Sequence, residues 1–455
     1  MRRLFALQVA LVCAAATAPG QDVILRWSDV TLDAIRTDRT APPKAARTLA
    51  MVHVAMFDAV NAIDPAYEAF MTDDFKATGG ESVVAAAACA AHDVLAAAFP
   101  GQAGTFDSAL AEDLAALPDD RAKSQGLALG QRVSAAMISA RENDGAAATV
   151  GYAAGSAAGD WQPTPPAFAA ALLPQWPTVT PFCLEDVASL RRAGPPPLTS
   201  AEYATAFNET KSLGSKTSTT RTEEQTQIAQ FWVDGPGTAT PPGHWFQIAR
   251  DLATQRGTSL AENARLFALI GLAVCDAGIC AWDNKYAYND WRPVTAIRTA
   301  DTDGNDATEA DPTWEPLITT PPFPSYTSGH STFSGAASKI LSLFFGSDEI
   351  PFTTTTDDLP GVTRSYSRFS QAANEAGRSR VYGGIHWEYD NQDGLASGRE
   401  LAMFIFDNFL RARDAEVIEI PADDVLQCGP IGIFPFGALA AGMAGMRLTR
   451  RRKRK

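Results

Sequence analysis

Helical periodicity is the feature of this sequence that most limits the folds it can adopt. Apolar residues recur at spacings of three and four through long stretches, whereas the alternation typical of a half-buried strand is scarce. Within Lys44 to Ile63, for example, Ala50, Val54 and Phe57 fall on one face of a helix. Further helices are predicted over 82–99, 106–117, 120–141, 199–213, 222–234, 260–288, 328–343, 374–384 and 394–411. We therefore predict a mostly α-helical protein.

A proline- and glycine-rich segment interrupts this periodicity in the middle of the chain. Residues 143–200 hold clusters of glycine, alanine and proline, among them Pro163, Pro165, Pro166, Pro195, Pro196 and Pro197. This composition favours a long ordered crossover on the surface over a strand region. We predict two helical bundles, an N-terminal helical part at 21–145 and a C-terminal bundle at 199–415, joined by the crossover at 146–198.

Charge and length exclude some classes of function. The chain has 455 residues, enough for a sizeable core, and 46% of them are hydrophobic, which argues against disorder. The formal net charge is −14. An acidic protein of this kind is poorly suited to binding nucleic acid through a basic surface, so no nucleic-acid partner is expected.

Both ends of the chain carry patterns typical of export. Residues 1–20 combine a basic start, a short apolar run and small residues, which is typical of a signal peptide. Residues 428–455 combine Cys428, an apolar stretch and a basic cluster, which predicts a C-terminal sorting signal or a membrane tail. We therefore expect an exported protein in the periplasm, at the cell surface or outside the cell. The tail is its expected point of membrane or cell-surface attachment.

The cysteines do not indicate a disulfide framework. Cys13 lies in the predicted signal peptide and Cys428 in the predicted tail, and the other four cysteines are widely spread. Cys275 and Cys280 are five residues apart on a predicted helix, so they point to different faces. Both are predicted to be core residues.

The first of three chemistry-bearing segments is Lys285-Tyr-Ala-Tyr-Asn-Asp-Trp-Arg292-Pro293. Lys285 and Arg292 are seven residues apart, which is two turns of a helix, so both side chains are predicted to face one point. A lysine supplies a compact positive charge, and an arginine can bind two oxygens at once. The pair therefore predicts an anion site.

The second segment, Pro324-Ser-Tyr-Thr-Ser328-Gly329-His330-Ser331, directly precedes a predicted apolar helix. Backbone amides at a helix start can bind an anion, and Gly329 permits close approach. Ser328 adds a hydroxyl donor. His330 is a candidate general acid or base beside the anion.

The third segment, Ser379-Arg380-Val-Tyr-Gly-Gly-Ile-His386-Trp-Glu-Tyr-Asp390, supplies another guanidinium and an imidazole. His386 could donate a nitrogen directly to the central atom of the anion. Asp390 follows four residues later, at one-turn helical spacing, and is predicted to hold the other ring nitrogen.

Each segment alone has an ordinary structural explanation. A Lys–Arg pair usually lies on a solvated face, a Ser-Gly-His is usually a turn, and a histidine near an aspartate is usually structural. The chain has only five histidines, however, and two of them fall inside these segments. Together the three segments indicate a binding site for a tetrahedral oxyanion.

The order of the segments resembles a known signature. Lys-x6-Arg-Pro, then Ser-Gly-His, then Ser-Arg-x5-His-x3-Asp is shared by the vanadium haloperoxidases and the type 2 phosphatidic acid phosphatases, and every position is filled here. Trp282, Pro321–Pro324 and His386-Trp387 resemble the chloroperoxidase-like branch and its bacterial relatives. The resemblance spans about residues 25–415.

This resemblance implies a cofactor and a role for each site residue. The cofactor would be vanadate, with phosphate able to occupy the same site, and His386 would bind the vanadium. The vanadate oxygens would be held by Lys285, Arg292, Ser328, Gly329 and Arg380. His330 would move protons, and Lys285 would polarise bound peroxide.

Three further residues are similar to family positions around that site. Asp234 is similar to the carboxylate that pairs with the arginine of the third segment. Trp282 and Phe323 are similar to the halide-side wall, and a phenylalanine at position 323 resembles the chloroperoxidases. The implied reaction is oxidation of a halide by hydrogen peroxide to hypohalous acid, which halogenates small organic acceptors.

Two other functions fit the same residues. In a soluble acid phosphatase, His386 would be the nucleophile, Asp390 would orient it, and His330 would protonate the leaving group. The integral-membrane phosphatases place these motifs among spanning helices, and we expect no apolar run long enough for that between residues 25 and 425. A non-catalytic surface-anchored protein would have to bury several unpaired cations, which is costly.

Overall fold

The helix Leu260–Tyr288 is buried along most of its length and carries Lys285, with which the first of the three segments begins. A computed structural model describes residues 22–413 of the chain. These residues form thirteen α-helices and one antiparallel pair of strands. The helices are Val23–Asp38, Pro42–Ile63, Val83–Ala98, Ala103–Ala115, Arg121–Arg141, Ala201–Leu213, Glu223–Phe231, Thr240–Arg256, Leu260–Tyr288, Pro293–Arg298, Gly329–Phe344, Phe369–Tyr382 and Glu388–Asn408. The strands are Phe352–Thr355 and Thr363–Tyr366.

The prediction of a mostly helical protein is confirmed, and the bounds of Leu260–Tyr288 agree with the predicted ones. Local signals set both ends of this helix. The side chain of Ser259 accepts from the amide of Glu262, and the Glu262 side chain accepts from the amide of Ser259, a capping box. The helix ends at Asn289, whose left-handed backbone (φ 52°) cannot continue it.

The structure contains three helices and a strand pair that were not predicted, and the helices are Val23–Asp38, Thr240–Arg256 and Pro293–Arg298. Thr240–Arg256 begins with Thr-Pro-Pro-Gly, a composition typical of a turn, but proline is tolerated in the first turn of a helix. The two strands have only four residues each, too few for alternation to be diagnostic. Phe352 lies opposite Tyr366 in their register.

Small residues let Pro42–Ile63 pack directly against Leu260–Tyr288. A Cβ atom added at Gly271 would lie 3.0 Å from the Cα of Ala50, so any larger residue would push the two backbones apart. Both helices contribute to one cluster of buried apolar side chains, including Leu49 and Phe267. The core therefore runs without interruption from the N-terminal part of the described chain into the C-terminal part.

The expectation that no segment between residues 25 and 425 is long and apolar enough to span a membrane is wrong for Leu260–Tyr288. That helix passes by length and composition, as does the pair Val83–Ala98 and Pro100–Ala115 taken together, although that pair bends by 119°. In Leu260–Tyr288, however, 94% of the apolar window is buried inside the protein. Its apolar faces are covered by other helices, which is typical of a core helix.

The crossover is ordered and is held against Leu260–Tyr288 by buried carboxylates. Within 146–198 the structure contains two short 3-10 helices and no α-helix or paired strand. The backbone amides of Phe182 and Cys183 donate to the carboxylate of Asp276 at 2.7 and 2.8 Å. Arg191 donates two hydrogen bonds to Asp283, at 2.8 and 2.7 Å. These contacts place the crossover beside the helix that carries Lys285.

Glycines bring Gly329–Phe344 and Glu388–Asn408 into close contact. A Cβ atom at Gly398 would lie 2.2 Å from the carbonyl oxygen of Thr332, and one at Gly335 would lie 2.5 Å from that of Leu395. The amide of Ser328 donates to the carbonyl of Asp390 at 3.0 Å, just before the first of these helices. This packing therefore brings the second and third segments together.

The predicted signal peptide, the predicted tail, Cys13 and Cys428 lie outside the described residues. The four cysteines within them are buried and form no disulfide, which confirms the prediction that Cys275 and Cys280 are core residues. The domain boundaries given above stay a prediction.

Replacing Gly398 by alanine is expected to destabilise the protein by about 1–3 kcal/mol, because the new methyl group overlaps backbone atoms of the facing helix. Gly104→Ala is the matched control, since Gly104 is also helical but has no atom within 4 Å of the position that the methyl group would take. The measurement is the midpoint of thermal unfolding. Equal midpoints for the two variants would contradict the close helix contact.

Candidate oxyanion site

The three segments meet in the interior of the protein. Arg292 Nη1 lies 3.0 Å from His386 Nε2, which joins the first segment to the third. Lys285 Nζ donates to the carbonyl of Ser325 at 2.8 Å, which joins the first to the second. Ser325 Oγ donates to Asp390 Oδ2 at 2.5 Å, which joins the second to the third. The predicted residues therefore lie together although their segments are far apart in sequence.

Lys285 and Arg292 converge for a different reason from the predicted one. They do not share a helix, because the helix ends at Asn289 and Arg292 is extended (φ −85°, ψ 153°) ahead of Pro293–Arg298. The proline at position 293 disfavours helical backbone at the residue before it. The turn between the two helices, and not helical periodicity, directs the guanidinium toward Lys285.

Lys285 is fully buried and uses all of its ammonium hydrogens on the second segment. Nζ donates to the carbonyls of Pro324, Ser325 and Thr327 at 3.0, 2.8 and 2.5 Å. Burial, followed by the charge of Arg292, holds the pKa of Lys285 well below its usual value. Lys285 thus orders the loop that precedes Ser328. Direct contact with an anion would require it to give up one of these carbonyls.

Arg292 and Arg380 each keep a buried N–H group without a partner among the described residues. Arg292 donates through Nε to the Phe323 carbonyl (2.7 Å) and through Nη1 to the Ile385 carbonyl (2.8 Å), but Nη2 has no acceptor. Arg380 donates through Nη1 to the Trp232 carbonyl at 2.6 Å, but Nε has no acceptor. An unsatisfied buried guanidinium N–H is costly, and an oxyanion is the acceptor that suits it. The donor set therefore fits vanadate or phosphate.

The electrostatics of the two arginines agree with this fit. Burial lowers the pKa of Arg292 to about 9 and that of Arg380 to about 10. Neither arginine, nor Lys285, lies within 4.0 Å of a carboxylate oxygen in residues 22–413. An anion between them would relieve a concentration of buried positive charge.

Ser328 and Gly329 begin the helix Gly329–Phe344. The Ser328 hydroxyl accepts from the amide of Ser331 at 3.3 Å, so Ser328 is the N-cap. The amides of the first turn, which include those of Gly329 and His330, have no partner within the helix and can donate to an anion. A side chain at Gly329 would meet Trp282 at 3.4 Å, which is an ordinary contact. The glycine is therefore not required by packing against Trp282.

His330 is held as a neutral imidazole. Its Nε2 lies 3.2 Å from the Val233 carbonyl, which can only accept, so Nε2 carries the hydrogen and Nδ1 is an acceptor. Burial, and then the charge of Arg380, holds the pKa of His330 well below its usual value. A neutral imidazole with a free acceptor nitrogen can take up a proton beside the anion.

His386 is oriented in the way that a ligand or a nucleophile requires. Its Nδ1 donates to Asp390 Oδ2 at 2.7 Å, so Nε2 carries the lone pair, which accepts a hydrogen bond from Arg292 Nη1 at 3.0 Å. Burial raises the pKa of Asp390 to about 6, and burial also lowers the pKa of His386. The predicted contact between the two residues is confirmed, but its cause differs. His386 precedes the helix Glu388–Asn408, and Asp390 Oδ2 reaches back to it while also accepting from the amide of Trp387.

Trp282 and Phe323 form an aromatic wall beside the cations. Their ring centroids are 4.9 Å apart, and Lys285 Nζ lies 5.1 Å from the Phe323 ring. The Arg292 guanidinium lies 4.8 Å from the same ring. The face of an aromatic ring attracts a cation electrostatically, and this attraction favours the arrangement. The two predicted wall residues therefore lie together at the site, and their role toward a halide stays a prediction.

Sequence reasoning assigned no role to three buried residues at or near the site. Ser325 and Asp290 lie inside the first two segments, and burial raises the pKa of the Asp290 carboxyl well above its usual value. His244 lies outside every segment, in Thr240–Arg256, which was not predicted, and its Nδ1 is 3.1 Å from Asp234 Oδ1. The hydrogen bonds of the Asp234 carboxylate go to His244, and its pairing with Arg380 stays a prediction.

Fold and site together define a helical-bundle protein with a buried cationic pocket for a tetrahedral oxyanion. Residues 265–414 match the family model of the VCPO second helical-bundle domain. The chain is also 29% identical over 321 residues to the vanadium chloroperoxidase of Curvularia inaequalis, an alignment that covers 55% of this chain and 52% of that protein. The chain thus spans about half the length of this curated relative.

Solved structures show similarity to the same family of proteins. The crystal structure of a bacterial vanadium-dependent iodoperoxidase superposes with a TM-score of 0.76 at 29% identity, covering 86% of this chain and 97% of that one. An apo-type bacterial vanadium-dependent chloroperoxidase superposes with a TM-score of 0.66 at 18% identity, covering 81% and 94%, and shows the shared fold. The resemblance to the vanadium haloperoxidases is confirmed.

Binding of an oxyanion is expected to draw protons into the protein at about pH 9, because Arg292, with its pKa lowered to about 9, is then partly neutral. A bound anion raises the pKa of Arg292, so a larger fraction of this group becomes protonated. Tungstate is the probe, since it is a dianion at this pH and takes up no proton itself. Calorimetric titration in two buffers with different ionisation enthalpies would measure the uptake. Identical heats in both buffers would contradict the expectation.

Proposed function

We propose that the protein is a vanadate-dependent haloperoxidase. The observation that carries the proposal is the set of buried donors around His386: the free N–H groups of Arg292 and Arg380, the amides at the start of Gly329–Phe344, and an imidazole whose Nε2 keeps its lone pair. Such a set suits a tetrahedral oxyanion whose central atom accepts a nitrogen ligand. The named relatives, a chloroperoxidase and an iodoperoxidase, support this assignment.

Each site residue then has a definite task. Arg292 and Arg380 would bind oxyanion oxygens, and Ser328 and Gly329 would add donors at the helix start. His386 would bind the vanadium through Nε2, while Asp390 holds its Nδ1–H. Bound vanadate would supply Lewis acidity toward hydrogen peroxide without a change of its own oxidation state. Lys285 would add positive charge that favours electron withdrawal from peroxide.

His330 would accept and return the proton of hydrogen peroxide. Because its Nε2 is engaged by the Val233 carbonyl, the only nitrogen that can receive a proton is Nδ1. Burial, and then the charge of Arg380, lower the pKa of this imidazole and keep it neutral, so it is ready to accept a proton from incoming hydrogen peroxide. The same nitrogen can return the proton to the leaving oxygen.

We propose that halide oxidation takes place against the wall formed by Trp282 and Phe323. The wall is apolar and the cations of Lys285 and Arg292 lie over it, so a halide there would meet positive charge with little competing water. Phe323 favours competence with chloride. Bromide and iodide are easier to oxidise and are expected to react as well. The hypohalous acid would halogenate small organic acceptors.

We further propose that the protein is exported. The proposal rests on the signal-like pattern of residues 1–20 and on the apolar and basic pattern of residues 428–455. Attachment through the C-terminal tail is part of the same proposal. Fractionation of the source cells, followed by mass measurement of the mature chain, would test both.

The purified protein is expected to halogenate a chromogenic diketone in the presence of vanadate, hydrogen peroxide and bromide. His386→Ala is expected to abolish this activity, because no other imidazole contacts both Arg292 and Asp390 in the described structure. His92→Ala is the matched control, since within residues 22–413 His92 pairs with Asp93 and Asp107, away from the three segments.

The same samples would be tested for phosphate release from an aryl phosphate. Phosphate release that vanadate inhibits, without halogenation of any halide, would overturn the proposal in favour of an acid phosphatase. If the protein shows neither activity and does not bind vanadate, the result would favour a non-catalytic protein.

Arg292→Lys is expected to reduce or abolish the stabilisation that vanadate gives. A lysine has all its donors on one nitrogen, which cannot occupy the separate positions from which the guanidinium donates to the carbonyls of Phe323 and Ile385 and would donate to the anion. Vanadate should raise the thermal midpoint of the wild-type protein through binding to the folded state. The matched control is Arg298→Lys, whose guanidinium donates to the Trp314 carbonyl. An equal vanadate-induced shift in both variants would argue against a role of Arg292 in binding.

A further inference from the structure

Tyr286 follows Trp282 by four residues, so the two side chains lie on the same face of the helix. The Trp282 indole Nε1 and the Tyr286 hydroxyl both donate to the Leu172 carbonyl, at 3.2 and 2.8 Å. The Leu172 amide in turn donates to the carbonyl of Pro322 at 2.8 Å, directly before Phe323. One peptide group of the crossover thus ties the Tyr286 phenol to both sides of the aromatic wall.

The Tyr286 phenol also lies within electrostatic reach of the oxyanion site. Burial, and then the neighbouring phenol of Tyr152, raise the pKa of Tyr286, whereas the charge of Arg292 lowers it. The hydroxyl therefore stays protonated and keeps its hydrogen bond to Leu172. Because Arg292 would bind an oxygen of the oxyanion, an oxidant formed there would be formed near this ring.

Tyr286 combines an activated ring with access to solvent. It packs against the same apolar cluster as Trp282 and Phe323. The Trp282 side chain is fully buried, whereas Tyr286 and Phe323 are only partly buried. The phenylalanine ring carries no substituent that donates electrons, but the hydroxyl of a tyrosine activates the two ring carbons beside it toward electrophiles. Electrophilic halogen is therefore expected to react at Tyr286 before the two wall residues.

We propose that Tyr286 is an internal acceptor, which hypohalous acid formed at the site halogenates at a ring carbon beside the hydroxyl. The ring supplies the electron pair of the new carbon–halogen bond, and the oxygen–halogen bond breaks with its pair going to oxygen. The ring proton joins the hydroxide so formed and leaves as water. The inference rests on the proposed function, which supplies the oxidant. It concerns turnover without an organic acceptor, because such an acceptor would compete for the same oxidant.

The test is turnover of the full chain, loaded with vanadate and supplied with hydrogen peroxide and bromide but no organic acceptor. Mass spectrometry of the digested protein would then locate bromine on individual tyrosines. Tyr286 is expected to carry at least about tenfold more bromine than Tyr67, because nearness to the source raises the local concentration of the oxidant. Tyr67 is the reference, since it is also partly buried but packs against Arg265, outside the three segments.

Hypobromous acid added to the protein without vanadate is the control. The oxidant then arrives from solution, so Tyr286 is expected to lose most of its advantage over Tyr67, since both side chains are partly buried. The same preference for Tyr286 in both samples, or no preference during turnover, would overturn the inference, because neither result requires oxidant formed beside the ring. Adding the chromogenic diketone during turnover is expected to lower the bromine on Tyr286.

Tyr288 provides a matched control two residues away, with its hydroxyl donating to the Arg192 carbonyl and its ring edge-on to Tyr326. Tyr286→Phe is expected to remove the bromine from this part of the chain and Tyr288→Phe to keep it, and the reverse would overturn the inference. The wild-type comparison decides by itself if a variant does not fold. If the wild type halogenates the diketone but leaves Tyr286 unmodified, the inference alone fails. If it halogenates neither, the proposed function fails as well.

Discussion

Burial of positive charge without a paired carboxylate is the constraint on which the site depends. Lys285, Arg292 and Arg380 are buried, and none has a carboxylate oxygen within 4.0 Å in the described residues. Buried N–H groups need hydrogen-bond acceptors, and backbone carbonyls supply most of them. Five peptide carbonyls accept from the ammonium of Lys285 and from Arg292. The remaining donors are the ones that an oxyanion would satisfy.

The fold supplies the rigidity that such a site needs. Carbonyl groups can orient a cation only if the loops that carry them are fixed. The loop before Ser328 is fixed by Lys285 itself, and the start of the third segment's helix is fixed through Ser325 and Asp390. Behind them, glycines at positions 335 and 398 let two helices touch, so the site rests on close-packed backbone. Preorganised donors of this kind bind an anion without a cost of reorganisation.

Much of the fold and most of the site residues could be predicted from the sequence, because their signals are local. The bounds of Leu260–Tyr288 follow from a capping box and an apolar pattern that are contiguous in the chain. The segments around Ser328 and His386 were recognisable from residue type and spacing alone. Local spacing failed where the chain turns: it placed Lys285 and Arg292 on one helix, whereas Asn289 ends that helix between them. It also gave no sign of His244, which lies ten residues after Asp234 in a helix that begins with Thr-Pro-Pro.

The sequence by itself determined the helical class, the three charged segments and the resemblance they carry, since periodicity and residue type are properties of neighbouring positions. Only the tertiary structure decided which donors remain free for an anion. Lys285 donates its hydrogens to carbonyls about 40 positions away, and Arg380 donates one to a carbonyl 148 positions away. Partners so distant in the chain leave no local pattern. The difference between a bound and an available N–H group therefore arises only when the helices pack.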